Sequence, residues 1–367
     1  MASEADTSAG TRDLPPPSGT GVLSWVRANL FSSVSSGILT IAALVALALV
    51  VPPIVEWAFL DAVWGKVSPE ACKAADGACW AFIREKYHLI FFGRYPIAEQ
   101  WRPILAVAVL IATVAVSCNR RFWRAWLGGV WLAGLAAFGL LMWGGILGLT
   151  PVETSLWGGL PLTLILAIVG IVVAFPLSIL LALGRRSHMP VIRAASVAYI
   201  ELIRGVPLIS LLFMASFMLP LFLPTGMKIN ALLRAQVAII MFTAAYLAEV
   251  IRGGLQAIPK GQVEAAQALG LGYWQSMRKI VLPQAIRAVI PPIVNTFIGM
   301  FKDTSLVAIV SLTDLLLATK QAIADPNWRA FFIEGYVFVA LIYFCFCFFM
   351  SKYSQHLECE LRSGTRR

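Results

Sequence analysis

Thr296, Gly299, Met300 and Asp303 fall at i, i+3, i+4 and i+7 of an apolar stretch, which places them on one face of a helix. That face offers a hydroxyl, a gap, a polarisable sulfur and a carboxylate. A carboxylate accepts hydrogen bonds from an ammonium group, and an ionisable side chain inside an apolar segment is costly enough to mark a functional position. The alternative for Asp303 is to cap the helix end or to pair with Arg204 or Lys302. Asn295 on the same stretch either joins neighbouring helices or faces a ligand. Thr243 and Tyr246 share a face of another apolar stretch with Val250. They line a pathway or hydrogen-bond adjacent helices. Glu249 with Arg252, and Glu201 with Arg204, are spaced as helical ion pairs. The first reads as structural or gating. The second precedes Gly205 and Pro207, so it is either a boundary ion pair or part of a hinge.

Other chemistry is excluded by what the chain lacks. No Gly-x-x-x-x-Gly-Lys-Ser/Thr run is present to cradle nucleotide phosphates. His88, His188 and His356 are scattered, and no Ser/His/Asp constellation forms around them. Cys72 and Cys79 are spaced to close a small loop through a disulfide in an oxidising compartment, the alternative being two free thiols. Cys118, Cys345, Cys347 and Cys359 lack metal-ligand spacing and read as packing residues. The chain is therefore expected to hold no metal and no cofactor, and not to be an enzyme in itself.

The elements that must position these residues are membrane spans. Apolar residues make up 59% of the chain and charged residues 13%, which excludes a soluble domain. The net charge of +10 comes mostly from basic residues flanking apolar runs, which argues against nucleic acid. Eight runs approach the length that crosses a bilayer: Gly37–Trp57, Pro103–Cys118, Ala125–Leu147, Gly158–Leu183, Ala198–Leu223, Leu233–Ile251, Ala285–Phe301 and Phe331–Met350. Basic clusters at Arg120, Arg121 and Arg124, at Arg185, Arg186 and Arg193, around Lys260 to Arg287, and in the tail from Lys352 fall on one side if both termini are cytoplasmic. The segment Asp61–Arg102 then lies outside, despite its six basic residues. Thr304–Ala324 is too interrupted to span, and Ser311-x-x-Asp314 resembles a capping signal for a short helix, Leu315–Ala324, on the outer side.

Ile258–Pro283 is a polar island between two apolar runs. Pro259 and Gly261 stop the preceding helix. A short helix is predicted over Gln262–Leu269, with Glu264 in its first turn, almost no protruding side chains at Ala265, Ala266 and Ala268, and Gly270 to end it. A smooth, self-terminated helix of this kind suits a groove on another protein. Glu264-Ala265-Ala266, Leu269, Gly270 and Ile280-Val281-Leu282-Pro283 resemble the EAA loop of ABC importer permeases. In that family the loop docks on the ATP-hydrolysing subunit.

The resemblance extends from Trp157 to Met350, carried by Leu160-Pro161-Leu162-Thr163-Leu164, by Tyr199–Leu208 with its Glu201-Leu202-Ile203-Arg204-Gly205-Val206-Pro207, by Ala248–Gly254, and by Lys302-Asp303-Thr304-Ser305-Leu306. These resemble polar-amino-acid ABC importer permeases, and the added N-terminal portion is similar to the AapM/Bzt-type general L-amino-acid permeases. The resemblance implies an all-α membrane protein of about eight transmembrane helices with a C-terminal five-helix type I ABC importer core. The division expected is a cytoplasmic tail over 1–36, three extra spans over 37–150 with a periplasmic loop at 58–102, the permease core over 151–351 with its coupling loop at 258–283, and a cytoplasmic tail over 352–367. It also implies an inner-membrane importer built with a paralogous permease, two ABC ATPase subunits that bind ATP and Mg, and a periplasmic amino-acid-binding protein. Asp303 would then face the ammonium of an amino acid. In relatives that carry cationic amino acids an acidic residue often occupies the position of Thr296, so the hydroxyl here fits a broader or uncharged substrate set. A stand-alone secondary transporter or channel is the rival reading and gives no reason for the EAA loop. A sensory membrane protein is a weaker one, because no signalling domain is apparent.

Overall fold

The computed structural model describes residues 21–363, apart from 125, 147 and 225. The expected terminal tails before residue 21 and after 363, and the expected bounds Ala125 and Leu147 of the third apolar run, lie outside the described residues. The described chain is almost entirely helical, as the composition requires: in lipid every backbone polar group must be satisfied within the protein, and a helix does this within one segment.

Two compact units are distinguished. The first comprises the chain to Trp64 together with Ala74–Cys79. It holds helices α1 (Val22–Leu30) and α2 (Val34–Val55). Ser33 caps α2 by accepting from the Ser36 amide at 3.1 Å. Pro52 and Pro53 withdraw two amide donors near its end, and the chain relaxes into a π turn over Glu56–Leu60. The α2 helix buries none of its side chains in the protein, as an apolar helix with lipid for its solvent would. Gly77 packs directly on the Asp61 backbone, where a Cβ would sit 2.2 Å from the carbonyl.

The second unit contains Gly65–Lys73 and everything from Trp80 onward. Its helices are α3 (Pro69–Lys73), α4 (Ala81–Phe92), α5 (Trp101–Cys118), α6 (Trp126–Trp143), α7 (Gly159–Arg185), α8 (Pro190–Arg204), α9 (Leu208–Phe213), α10 (Ala231–Ala257), α11 (Lys260–Ala268), α12 (Tyr273–Ser276), α13 (Leu282–Ala288), α14 (Ile290–Asp303), α15 (Leu315–Ile323) and α16 (Phe332–Ser363). Among the described residues of the whole chain, seven helices are long and apolar enough to cross a membrane, or eight if one bent pair counts as a span.

Three expected spans differ in shape. The fifth, Ala198–Leu223, is not one helix: α8 and the segment Leu208–Phe222 meet at 102°. The break falls at Gly205-Val206-Pro207, since Pro207 disfavours helix in the residue before it and glycine holds helix poorly. The seventh is interrupted at Val289 between α13 and α14, where Pro291 and Pro292 suit only the first turn of a new helix. The eighth runs on to Ser363, so the predicted tail from 352 begins as a continuation of α16.

The core of this unit is α7 packed on α10, with α14 across them. Small residues set the spacing. Ala174 and Ala244 pack with Leu247 and Ile293. Gly170 leaves the room that the Met300 methyl and Ile239 fill, for a Cβ there would lie 2.8 Å from Met300. Nearer the α10–α13 connection, Ala182, Ile200, Ala248, Ile251, Val281 and Ala285 form a second layer. The α5–α6 hairpin packs by the same device, Gly134 facing Thr113. Arg102 is fully buried at the head of α5. It donates from Nε to the Leu141 carbonyl at 2.7 Å and from Nη1 to the Thr150 carbonyl at 2.8 Å. This ties α5 to the connection leaving α6.

At the end of the bundle opposite the α10–α13 connection, the start of α7 is stapled to the segment before α15. The Gly159 amide donates to the Thr313 carbonyl at 2.8 Å, and the Leu315 amide donates to Thr163 Oγ1 at 3.0 Å. The α4 helix packs on the same region, with Lys86 paired to Asp325 at 2.6 Å and Phe82 against Trp328.

Candidate coupling loop and translocation face

The polar island folds as a helix hung between α10 and α13. Pro259 is the N-cap of α11, and the helix begins at Lys260, two residues before the predicted start. Gly270 closes it in the left-handed region at φ 74°. Its amide donates to the Gln267 carbonyl at 2.9 Å, and the Leu271 amide donates to Ala266 at 3.1 Å. The latter is the long-range bond of a glycine-terminated helix end. Ala266 is buried against the body of the unit, while Glu264, Ala265, Ala268 and Leu269 face outward. Tyr273 and Trp274 add two exposed rings, set edge to face at 5.3 Å. Leu269 is 78% exposed and Trp274 68%. Large apolar groups so bare, outside any span, mark a contact surface. The sequence signal for the two rings is their place three and four residues after Gly270.

The charged residues form one cluster. Glu249 on α10 meets Arg252 Nε at 2.9 Å, Arg185 at 3.4 Å and Arg204 at 3.9 Å. The spacing-based pair of Glu249 and Arg252 is therefore present. The pair of Glu201 with Arg204 is corrected: Glu201 lies 2.8 Å from Arg185 on α7, and Arg204 turns to Glu249. The bend after Arg204 directs its side chain toward α10, where the guanidinium also lies over the Tyr246 ring at 5.6 Å. Arg204 is thus engaged away from Asp303, against the pairing alternative. Arg185, which the sequence offered only as a topology charge, ties α7, α8 and α10 together. Neighbouring Arg186 donates to the Leu255 carbonyl at 2.8 Å.

The face of α14 divides. Gly299 looks into open space, with nothing within 4 Å of where a Cβ would sit. Asn295 is exposed, and Thr296 donates to the Pro292 carbonyl at 2.9 Å, leaving its oxygen to accept. Asp303 ends the helix half-buried, with no salt bridge among the described residues. Met300 differs from expectation: it is buried in the core against Gly170. Thr243 and Tyr246 also part company. Thr243 is buried without a hydrogen-bond partner for its hydroxyl, whereas Tyr246 is partly exposed and lies tilted against the Phe242 ring, with centroids 4.6 Å apart.

At the far end, the predicted short helix is α15, and its cap is Asp314 rather than Ser311. Asp314 accepts from the Leu316 and Leu317 amides at 2.9 and 3.1 Å, while Ser311 takes a left-handed turn at φ 60°. Burial raises the Asp314 carboxyl to about 6, against the lowering effect of those two amides and of Lys320. Cys72 and Cys79 are both buried and each is disulfide-bonded, whereas Cys118, Cys345, Cys347 and Cys359 are free.

Residues 174–362 match the family model described as "Binding-protein-dependent transport system inner membrane component". The chain is 50% identical to the "Inner membrane amino-acid ABC transporter permease protein YhdY" of Escherichia coli, across 93% of each chain. It is 40% identical to the "Glutamate/glutamine/aspartate/asparagine transport system permease protein BztC" of Rhodobacter capsulatus, across 96% of each. The "Probable glutamine ABC transporter permease protein GlnP" of Bacillus subtilis is 34% identical; there, 55% of this chain accounts for 92% of the relative.

Proposed function

This chain belongs to the family of binding-protein-dependent transport system inner membrane components, and from that premise we propose that it is the permease subunit of an ATP-driven amino-acid importer. Its place is the inner membrane, within a complex with ATPase and binding-protein partners. The observation that carries the reading is the exposed α11 helix, closed by Gly270 and flanked by Leu269, Tyr273 and Trp274. It is a preformed knob for the ATPase, with only methyl groups at the outward-facing Ala265 and Ala268. Glu264, Ala265, Ala266, Leu269 and Gly270 build that knob.

The chain has no nucleotide-binding loop of its own, so ATP and Mg are held by the ATPases, and this subunit does no chemistry itself. Both termini are cytoplasmic, which puts the α10–α13 connection inside and α4 and α15 outside. Residues 151–351 form the type I core and 37–150 the additional spans around the periplasmic segment 58–102, where Cys72 and Cys79 are oxidised. The second permease is a paralogue, giving a heterodimer.

ATP-driven closure of the ATPases moves α11. The motion reaches α10 through their shared connection, and α13 through Gln262, to which Gln284 donates at 3.2 Å. Glu249 and its three arginines then link α10 to α7 and α8 at the bend after Arg204. A bundle of such rigid pieces switches between discrete openings. On the substrate side, Asp303 accepts the amino-acid ammonium. Thr296, Gly299, Asn295 and Tyr246 line the approach.

The test is purification of the whole complex with Glu264→Lys. Loss of co-purifying ATPase and of ATP-driven uptake, with the permeases still assembled, is the expected outcome. A variant that retains both overturns the docking role. A wild-type chain that isolates alone and takes up amino acids in liposomes without ATP overturns the importer reading in favour of a secondary transporter.

A further inference from the structure

The N-terminal additions carry a polar pocket that the translocation reading leaves unused. It encloses about 310 Å³ and is lined by Lys66, Val67, Ala81, Arg84, Glu85 and Trp328. All six belong to the same compact unit. Lys66 and Arg84 are exposed, and neither has a carboxylate within 4 Å among the described residues. Residues two apart on a helix point apart, and α4 uses this. Lys86 turns inward to Asp325 at 2.6 Å and fastens the helix, while Arg84 is left to the pocket. Glu85 also lines it, so the three charges sum to one net positive. Trp328 is only 7% exposed and presents a flat, fixed wall.

We infer that this pocket is a docking socket for a carboxylate side chain on the soluble binding protein. The inference rests on the proposed function, which places α4 outside. The chemistry is that of two unpaired cations beside a rigid aromatic wall, which fits an acidic side chain presented by a folded surface. Its position also suits a contact that must be felt within the membrane. The Trp328 amide donates to the Asp325 carbonyl at 3.0 Å, and Asp325 holds α4. Asp325 lies two residues past the end of α15, which connects back through the tight turns of Thr304–Val310 to Asp303 at the end of α14. Occupation of the socket therefore bears on the element that carries the candidate substrate carboxylate. Charges at the edge of an interface act mainly on encounter rate and salt dependence, so the effect has a sign that a purely structural role would not show.

The experiment uses the intact complex in nanodiscs of neutral lipid and the purified binding protein of the same transporter, with binding followed by interferometry at low and high salt. Lys66→Glu with Arg84→Glu should weaken the binding protein's Kd about tenfold at low salt and much less at high salt. Glu85→Lys should tighten it. ATP hydrolysis measured without binding protein should stay at the wild-type rate in all variants. Equal affinities for wild type and both charge variants at low salt would overturn the socket. A rise in melting temperature on adding phosphatidylglycerol, lost in the double variant while binding-protein affinity is kept, would assign the pocket to a lipid headgroup instead. A wild-type complex that ignores the binding protein would overturn the importer reading itself, and the socket with it.

Discussion

Arg185 Nη1 lies 2.8 Å from Glu201 Oε1, so the end of α7 is tied across the connection to α8 by charge. The same guanidinium reaches Glu249 on α10. Glu249 is the less exposed acid and faces three arginines, whereas the Glu201 side chain is 55% exposed. Removing one partner of a sheltered pair leaves the others uncompensated, while an exposed pair is worth less than about 1 kcal/mol. Glu249→Gln should therefore destabilise the complex by about 2 kcal/mol or more and sharply reduce ATP-driven uptake. Glu201→Gln should do little to melting. The Arg185→Glu, Glu201→Arg double exchange should recover part of the loss caused by Arg185→Glu alone, the remainder being the new carboxylate against Glu249. Melting curves and uptake of these variants and of each single exchange decide this, and additive losses in the double exchange would remove the pair from the account.

The coupling surface makes the opposite prediction: large effects on partnership with small effects on stability. Leu269 and Trp274 touch little of the chain that carries them. Leu269→Ala with Trp274→Ala should leave the permease's melting temperature nearly unchanged. It should weaken ATPase association by more than tenfold, as loss of an aromatic anchor does at other interfaces. Gly270→Ala isolates the backbone. Nothing stands within 4 Å of its Cβ position, so the cost is that of a left-handed residue, about 1–2 kcal/mol. It should appear as disorder of the helix end in hydrogen exchange together with partial uncoupling. Wild-type exchange at Leu271 in the variant would refute it.

How much of this was legible depends on range. The spans were readable because lipid imposes one local rule on every residue, and the α11 helix because Pro259 and Gly270 punctuate it. The bend at Gly205–Pro207 was visible as a weak point but not as a 102° turn, since composition sets where a helix breaks and packing sets the angle. The partner of Glu201 was not legible: i, i+3 spacing proposes Arg204, and only the return of α8 against α7 brings Arg185 nearer. Met300 failed as a pathway residue for a similar reason. Its helix face was right, but Gly170, 130 positions earlier, opens the core to receive it. The Asp314 cap was half legible, because Ser311-x-x-Asp314 has the right residues and the predicted start at Leu315 holds, but the left-handed turn at Ser311 leaves Asp314 alone to cap the helix.

Gly159 begins α7 where three segments meet. It holds φ 63°, and a Cβ there would sit 2.1 Å from the Phe91 carbonyl oxygen. Gly93 and Gly158 touch in the same place, with a Cβ on Gly93 reaching the Gly158 backbone at 2.7 Å. Backbone cannot give way as a flexible side chain can, so Gly159→Ala should cost more than about 3 kcal/mol. The expected readout is loss of folded protein by size exclusion after detergent extraction. Gly128→Ala on α6, where nothing lies within 4 Å, should be extracted normally. Equal yields of the two variants would show that the junction is not a fixed point.

Asp314 sets a pH dependence whose sign follows from its burial. Its carboxyl is raised from 3.8 to about 6 in the folded chain, chiefly by burial, with Lys320 and the amides of Leu316 and Leu317 opposing. Between those values the folded state holds a proton that the unfolded state has released. Stability from this group is therefore fully present below about pH 4, falls as pH rises toward 6, and is constant above. Two units correspond to about 3 kcal/mol. Asn keeps a carbonyl to accept an amide hydrogen and cannot ionise, so Asp314→Asn should flatten this part of the curve. Melting of the detergent-solubilised complex from pH 4.5 to 7.5 should show wild type losing stability relative to Asp314→Asn up to about pH 6, with a constant offset beyond. Parallel curves would mean that the cap is ionised throughout and that the α15 amides outweigh its burial.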